Sequence, residues 1–284
     1  TGLAFVNRAG KQQDFQRARL LFPIFDAQGD PVAFGGRKLP GAEGPKYKNS
    51  PETPLYHKSR VLYGLNWAKG DIVKHDRAIV CEGYTDVIGF ARVDLPIAVA
   101  TCGTALTEQH VRSLRRFTRR LLLAFDPDMA GQAAAERVYA WEQGHDLQVS
   151  VVALPLGEDP ADVSVTDPDR LRHAVDAAQP FLGFRVERAF AGAELSTPEG
   201  RARAAEAALD VIAEHPDELV RDPYVLAVAD RCRLDPTRLR ERVERLRRQP
   251  RGAARSSTTP PAPAPRRAER DTPETEALRA AVHR

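Results

Sequence analysis

From about residue 78 the sequence alternates short apolar runs with amphipathic stretches, and this rhythm restricts the fold more than any other feature. The runs fall at 78–81, 97–100, 120–125 and 149–153, and helical spacing fills 85–92, 107–117 and 131–143 between them. Short continuous apolar runs fit strands covered on both faces. Strand–helix–strand repetition needs crossovers, and therefore a mainly parallel sheet. Residues 75–165 are expected to form an α/β domain.

The flanks have other textures. Residues 20–35 place two β-rich runs around Asp-Ala-Gln-Gly-Asp, which predicts a hairpin. Residues 36–58 hold glycines, prolines and bases with little periodicity and read as a shaped loop. Beyond residue 165 the pattern becomes helical. Thr197-Pro198-Glu199 sets a capping residue before a first-turn proline, which starts a helix to about Glu214, and further helices fit 217–232 and 236–248. Residues 250–275 are rich in Pro, Ala, Ser and Arg and read as a disordered linker. The fold class is thus α+β: a mixed basic N-terminal part, an α/β domain, then a helical subdomain.

Charge follows the same divisions. The net charge of +3 separates into +6 over residues 1–74, −6 over 75–198 and +3 over 199–284. No apolar run approaches the roughly 20 residues a bilayer needs, so no membrane partner is expected. No signal peptide is visible, and a cytoplasmic address is the default expectation. Cys81, Cys102 and Cys232 are widely spaced and cannot by themselves build a disulfide framework or a structural zinc site. Position 1 is Thr rather than Met, so the chain is expected to be a fragment.

The chemistry concentrates just past the apolar runs. Glu82 opens Glu-Gly-Tyr-Thr-Asp, Asp126 and Asp128 follow the run at 120–125, and Asp159 lies in Gly-Glu-Asp-Pro-Ala-Asp. In open α/β sheets ligands bind at the carboxyl ends of the strands. Carboxylates gathered there repel one another unless cations neutralise them, and Mg²⁺ takes oxygen ligands while keeping waters for phosphates. Each signal alone is weak: an Asp-x-Asp in a loop is more often a solvated turn, and Glu82 at a strand end fits a helix N-terminal acid as well. Their joint placement favours a metal site.

These motifs carry a resemblance. Glu82-Gly-Tyr-Thr-Asp86 and Asp126-Pro-Asp128-Met-Ala-Gly131 resemble the Toprim signature shared by bacterial primases, type IA and II topoisomerases and some nucleases. Upstream, Phe34-Gly-Gly-Arg37, Pro45-Lys46-Tyr47-Lys48-Asn49-Ser-Pro-Glu-Thr and His57-Lys58-Ser-Arg-Val-Leu-Tyr-Gly look like the bacterial DnaG-type primase pattern. The match runs from about residue 14 to 190, in the family's order.

The resemblance implies Glu82 and Asp86 as catalytic with Asp126 and Asp128, and Glu82, Asp126, Asp128, Asp159 and Asp162 as metal ligands for Mg²⁺ or Mn²⁺. The family often shows Asp-Pro-Asp in the last cluster, whereas Ala161 fills that slot here and Asp162 follows it. Arg37, Lys46, Tyr47, Asn49 and Lys58 match positions near template and nucleotide, and Lys48 is a further candidate for phosphate. The implied segments are 1–74 (basic N-terminal subdomain of the core), 75–165 (Toprim), 166–249 (helical), 250–275 (linker) and 276–284 (start of a truncated C-terminal domain). The implied reaction joins ribonucleotides on a single-stranded DNA template by attack of a 3′-hydroxyl on an α-phosphate. Two divalent ions about 4 Å apart would stabilise the attacking and leaving oxygens. The family's zinc-binding and helicase-binding domains are expected to be missing, so helicase contact belongs to the full-length protein. An N-terminal part of the core is expected to be absent too, which would leave this piece inactive by itself. Two rivals stand beside this reading: a strand-cleaving Toprim enzyme, which would need a nucleophilic tyrosine better placed than Tyr84, and a non-catalytic nucleic-acid-binding fragment.

Overall fold

Strand and helix follow the sequence rhythm closely between residues 78 and 176. The structure, a computed structural model, describes residues 4–125, 132–155 and 157–248, with backbone alone for 132–136. Its described residues group into two compact units, one of 4–125, 145–155 and 157–178, the other of 132–144 and 179–248.

The first unit opens with antiparallel pairs. Strands β1 (Ala4–Val6) and β2 (Gln12–Asp14) form one. Strands β3 (Arg19–Phe25), β4 (Pro31–Lys38) and β5 (Tyr47–Asn49) form a three-stranded sheet in that order. The hairpin turn forms because Asp26 Oδ1 accepts from the N–H groups of Gln28, Gly29 and Asp30, each at 2.9 Å, and Gly29 takes the left-handed φ of 105°. The segment read as one loop, 36–58, is partly sheet: β4 runs to Lys38, and β5 pairs with it through Gly35–Asn49, Gly36–Lys48 and Arg37–Tyr47.

After helix α1 (Leu65–His75) come β6 (Ala78–Cys81), α2 (Tyr84–Arg92), β7 (Ala98–Ala100), α3 (Glu108–Leu114), β8 (Arg120–Ala124) and, past residue 145, β9 (Gln148–Val151). All four strands are parallel neighbours in the order β9-β8-β6-β7. They are nearly all buried, which explains their unbroken apolar runs. Chain order reverses at β6, since β7 lies on one side and β8 on the other. Cys81 is level with both Ala100 and Ala124, so the strands end together and the residues after them share one edge. Helices α5 (Pro160–Thr166) and α6 (Pro168–Asp176) complete the unit.

The second unit contains α4 (Gln132–His145, up to Gly144), α7 (Phe181–Ala189), α8 (Pro198–Ala213), α9 (Glu218–Cys232) and α10 (Pro236–Arg248). Helix α8 buries Ala204, Ala205, Ala208, Leu209 and Ile212, and α9 and α10 bury Val225, Val228, Ala229, Leu239 and Val243. Thr197 caps α8 by accepting from Gly200 N–H at 3.1 Å, and Asp217 caps α9 by accepting from Leu219 N–H at 2.9 Å. Arginines of α10 tie the bundle together: Arg240 pairs with Asp222, Arg242 with Glu206, and Arg247 donates to the carbonyls of Ala213 and His215. In the interior Arg185 pairs with Glu214 and donates to Tyr139 Oη at 3.2 Å. No helix among the described residues is long and apolar enough to cross a membrane.

Candidate functional site

The edge where β6 to β9 end opens into a cavity of about 490 Å³. Each strand contributes to its wall: Glu82 to Asp86 after β6, Cys102 and Gly103 after β7, Ala124 and Phe125 at the end of β8, Val152 and Leu154 after β9. Glu158, Asp159 and Pro160 close one side, and Lys46, Tyr47 and Asn49 enter from the antiparallel sheet. Ligand sites of open α/β sheets lie at this kind of edge, where the strand order reverses.

The acidic candidates divide into distinct placements. Glu82 is exposed and lines the cavity directly after β6. Asp86 lines it too, but is buried, and its Oδ2 accepts from Gly83 N–H at 2.9 Å in the first turn of α2. Asp159 lines the cavity and caps α5, with Oδ1 accepting from Asp162 N–H at 2.8 Å. Asp162 sits in the first turn of α5 and is not among the lining residues. Asp126 and Asp128 lie outside the described residues.

Ala161 is buried, and α5 packs so closely on α2 that a Cβ on Gly89 would come 2.9 Å from Ala161 Cα and from the Pro160 carbonyl oxygen.

The polar and basic candidates also separate. Tyr47 and Asn49 share the cavity side of β5, and Lys46 precedes them. Lys48, one residue out of phase, faces the other way: its Nζ donates to the Phe15 carbonyl at 2.8 Å and lies 3.5 Å from that ring's centroid. It is therefore engaged away from the cavity, contrary to its reading as a phosphate contact. Arg37 is buried behind Tyr47 and donates to its hydroxyl at 3.0 Å. Lys58 is not among the lining residues; its main chain is anchored by Glu52 and His110. Trp67 packs edge-on against Tyr63 at 5.3 Å and Phe25 at 6.2 Å while staying 48% exposed. Thr85 and Glu158 line the cavity without having been singled out, and both stand beside motif acids in the sequence.

Tyr84 is fixed in the interior. Its ring stacks on Phe22 at 4.8 Å, meets Tyr63 edge-on at 4.7 Å, and its hydroxyl donates to Asn49 Oδ1 at 2.9 Å. Burial pushes its phenol far above the ordinary tyrosine range. A group so held is unsuited to attack a phosphodiester, which removes the support for a strand-cleaving tyrosine here. The neighbouring thiols of Cys81 and Cys102 are likewise pushed well upward by burial and stay protonated.

Among the described residues no three acidic, histidine or cysteine side chains close into a metal cage. Glu82 and Asp159 nevertheless both line the cavity and offer hard oxygen donors, the chemistry that Mg²⁺ or Mn²⁺ takes.

Three family models match the chain: the DNA primase catalytic core, N-terminal domain, at residues 1–69; the Toprim domain at 76–153; and the DnaB-helicase binding domain of primase at 182–237. A DNA primase of Streptomyces coelicolor is 41% identical over 220 residues, 75% of this chain and 34% of the relative. The RNA polymerase domain of Mycobacterium tuberculosis primase DnaG, crystallised with double-stranded DNA, matches with a TM-score of 0.73 at 37% identity, over 82% of this chain and 76% of that one. The chain belongs to the DnaG-type DNA primase family. A DnaG primase catalytic domain bound to single-stranded DNA also matches this primase-family chain, with a TM-score of 0.63 at 35% identity, over 81% and 75%. The chain spans about a third of the length of the curated primases it matches. One expectation is corrected: a segment matching the family's helicase-binding model, thought to be missing, lies within the chain at 182–237.

Proposed function

We propose that this chain carries the nucleotidyl-transfer site of a DNA primase, which copies single-stranded DNA into short RNA primers from ribonucleoside triphosphates. The observation that carries the reading is the cavity itself, where acids after β6 and β9 face Lys46 and Tyr47 from the antiparallel sheet. The match to primase catalytic cores over more than three-quarters of the chain supports it.

In this reading Glu82, Asp126, Asp128 and Asp159 hold Mg²⁺ or Mn²⁺, which when bound would neutralise triphosphate charge and assist the 3′-hydroxyl. The oxygen donors present at the cavity fit such an ion. Asp159 is preferred over Asp162 because it lines the cavity. Lys46 contacts phosphate as a point charge. Tyr47, backed by the Arg37 hydrogen bond, offers a ring face to base or sugar. Asp86 holds the Gly83 main chain and so shapes the approach to Glu82. Lys58, outside the cavity lining, is assigned to the template strand. The segment at 182–237 gives the replicative helicase a place among the partners. The basic part at 1–74, the Toprim part at 75–165 and the helices at 166–249 form the working core, acting in the cytoplasm where the template lies.

The test is primer synthesis by the full polypeptide on single-stranded DNA with labelled ribonucleotides and Mg²⁺. Asp126→Ala should abolish RNA products yet leave DNA binding in place. Lys46→Ala should lower kcat/KM by about 10- to 100-fold. Template cleavage, or no RNA from the wild type, would contradict the proposal.

A further inference from the structure

Asn49 lines the cavity, yet both ends of its amide are engaged by the protein. Its Oδ1 accepts from the Tyr84 hydroxyl at 2.9 Å, and its Nδ2 donates to the Cys102 carbonyl at 2.7 Å. The Cys102 N–H in turn donates to the Glu82 carbonyl at 3.0 Å. Since Tyr84 lies two residues after Glu82, these bonds close a ring that ties β5, the turn after β7 and the end of β6 together.

Each member of the ring stands on a rigid support. The Tyr84 ring is gripped by Phe22 and Tyr63 and lies against the backbone of Gly35, where any Cβ would run into it. Cys102 and Gly103 take left-handed φ values of 51° and 88°. That conformation is costly for a residue with a side chain and persists only where surrounding bonds determine it. Here Cys102 is bonded through both its N–H and its carbonyl.

We propose that Asn49 and Tyr84 are positioning residues for Glu82. The hydroxyl–amide–carbonyl chain fixes the main chain at the end of β6, and with it the place where the Glu82 carboxylate stands. The inference rests on the reading of Glu82 as a catalytic carboxylate, and it changes the role of Asn49 from substrate contact to support. A direct nucleotide contact by Asn49 would make the Tyr84 hydroxyl unimportant to turnover; a support makes it necessary.

Tyr84→Phe, made in the full polypeptide, keeps the ring and removes the link. The expected result is a kcat about tenfold lower with the nucleotide KM within about twofold, because a carboxylate is displaced while substrate contacts remain. Hydrogen exchange at the Cys102 amide should quicken about tenfold, since its partner loses restraint. Wild-type turnover with wild-type exchange would overturn the proposal. A raised nucleotide KM at unchanged kcat would also overturn it, in favour of direct contact. Should Tyr84→Phe fail to fold, Asn49→Ala leaves the aromatic cluster intact and carries the exchange test, where an unchanged Cys102 amide overturns the proposal. If the wild type makes no primer, exchange still decides the support role, and the failure falls on the primase reading alone.

Discussion

Gly35 shows how one absent side chain sets the geometry of the site. Its Cα lies so close to the Tyr84 ring that a Cβ would overlap it, and that ring is held on its other sides by Phe22 and Tyr63. Gly35→Ala must therefore push either β4 or the start of α2 out of place. We expect a loss of about 1–3 kcal/mol in urea unfolding, with primer synthesis falling further than stability alone explains. Stability within 0.5 kcal/mol of wild type, about the scatter of a neutral surface change, would show that the ring can move aside. The sequence displayed Phe34-Gly-Gly-Arg37 as a motif but not its reason, because Tyr84 is distant in the chain. The lysines carry a similar lesson. Lys46 and Lys48 look equivalent in a segment read as loop, but Lys46 precedes the strand Tyr47–Asn49 and lines the cavity, whereas inside the strand alternation sends Lys48 onto Phe15 and leaves the cavity to Tyr47 and Asn49.

At the scale of elements, the parallel strands were legible because burial on both faces leaves continuous apolar runs, and the caps at Thr197 and Asp217 marked two helix starts. Helix α1 was not read: it begins after left-handed Gly64 with no side-chain cap, and its Trp67 stays half exposed. Strand β5 was missed because three residues are too short for periodicity to register. Helix α5 gives this scale its prediction. It meets α2 with the backbone of Pro160 and Ala161 against Gly89, and Ala161 is buried there. Ala161→Asp, which restores the family's Asp-Pro-Asp, should cost about 2–4 kcal/mol by burying a carboxylate against α2. Thermal unfolding with and without Mg²⁺ checks this. A variant as stable as wild type would show that position 161 can turn towards the cavity.

Across the whole molecule, each unit keeps one histidine neutral by burial. In the first unit His110 Nδ1 accepts from Thr107 N–H at 3.3 Å, so Nε2 carries the proton donated to the Lys58 carbonyl at 2.8 Å. In the second, His215 accepts from Asp217 N–H and packs edge-on to Tyr139 at 4.8 Å. Burial lowers the pKa of both. The unfolded chain therefore binds protons that the folded units do not, starting near the ordinary histidine pKa of about 6.5. Stability is full above that pH and falls as pH drops through it, until the lowered folded values are reached. Unfolding free energies from urea titrations should decline from pH 7.5 to pH 5 by up to about 1.4 kcal/mol per pH unit per histidine. A flat profile would mean that neither site excludes its proton. The charge blocks belong to this scale too: the +6 segment supplies Lys46, and the −6 segment supplies Glu82 and Asp159.

The proposed site requires that the acids at this edge hold a divalent ion, and a Mn²⁺ titration followed by electron paramagnetic resonance tests that directly. Wild type should bind Mn²⁺, Glu82→Gln and Asp126→Asn should each weaken binding by about tenfold or more, and Asp162→Asn should leave it unchanged. Equal Mn²⁺ binding by wild type, Glu82→Gln and Asp126→Asn would place the metal elsewhere and contradict the proposed site.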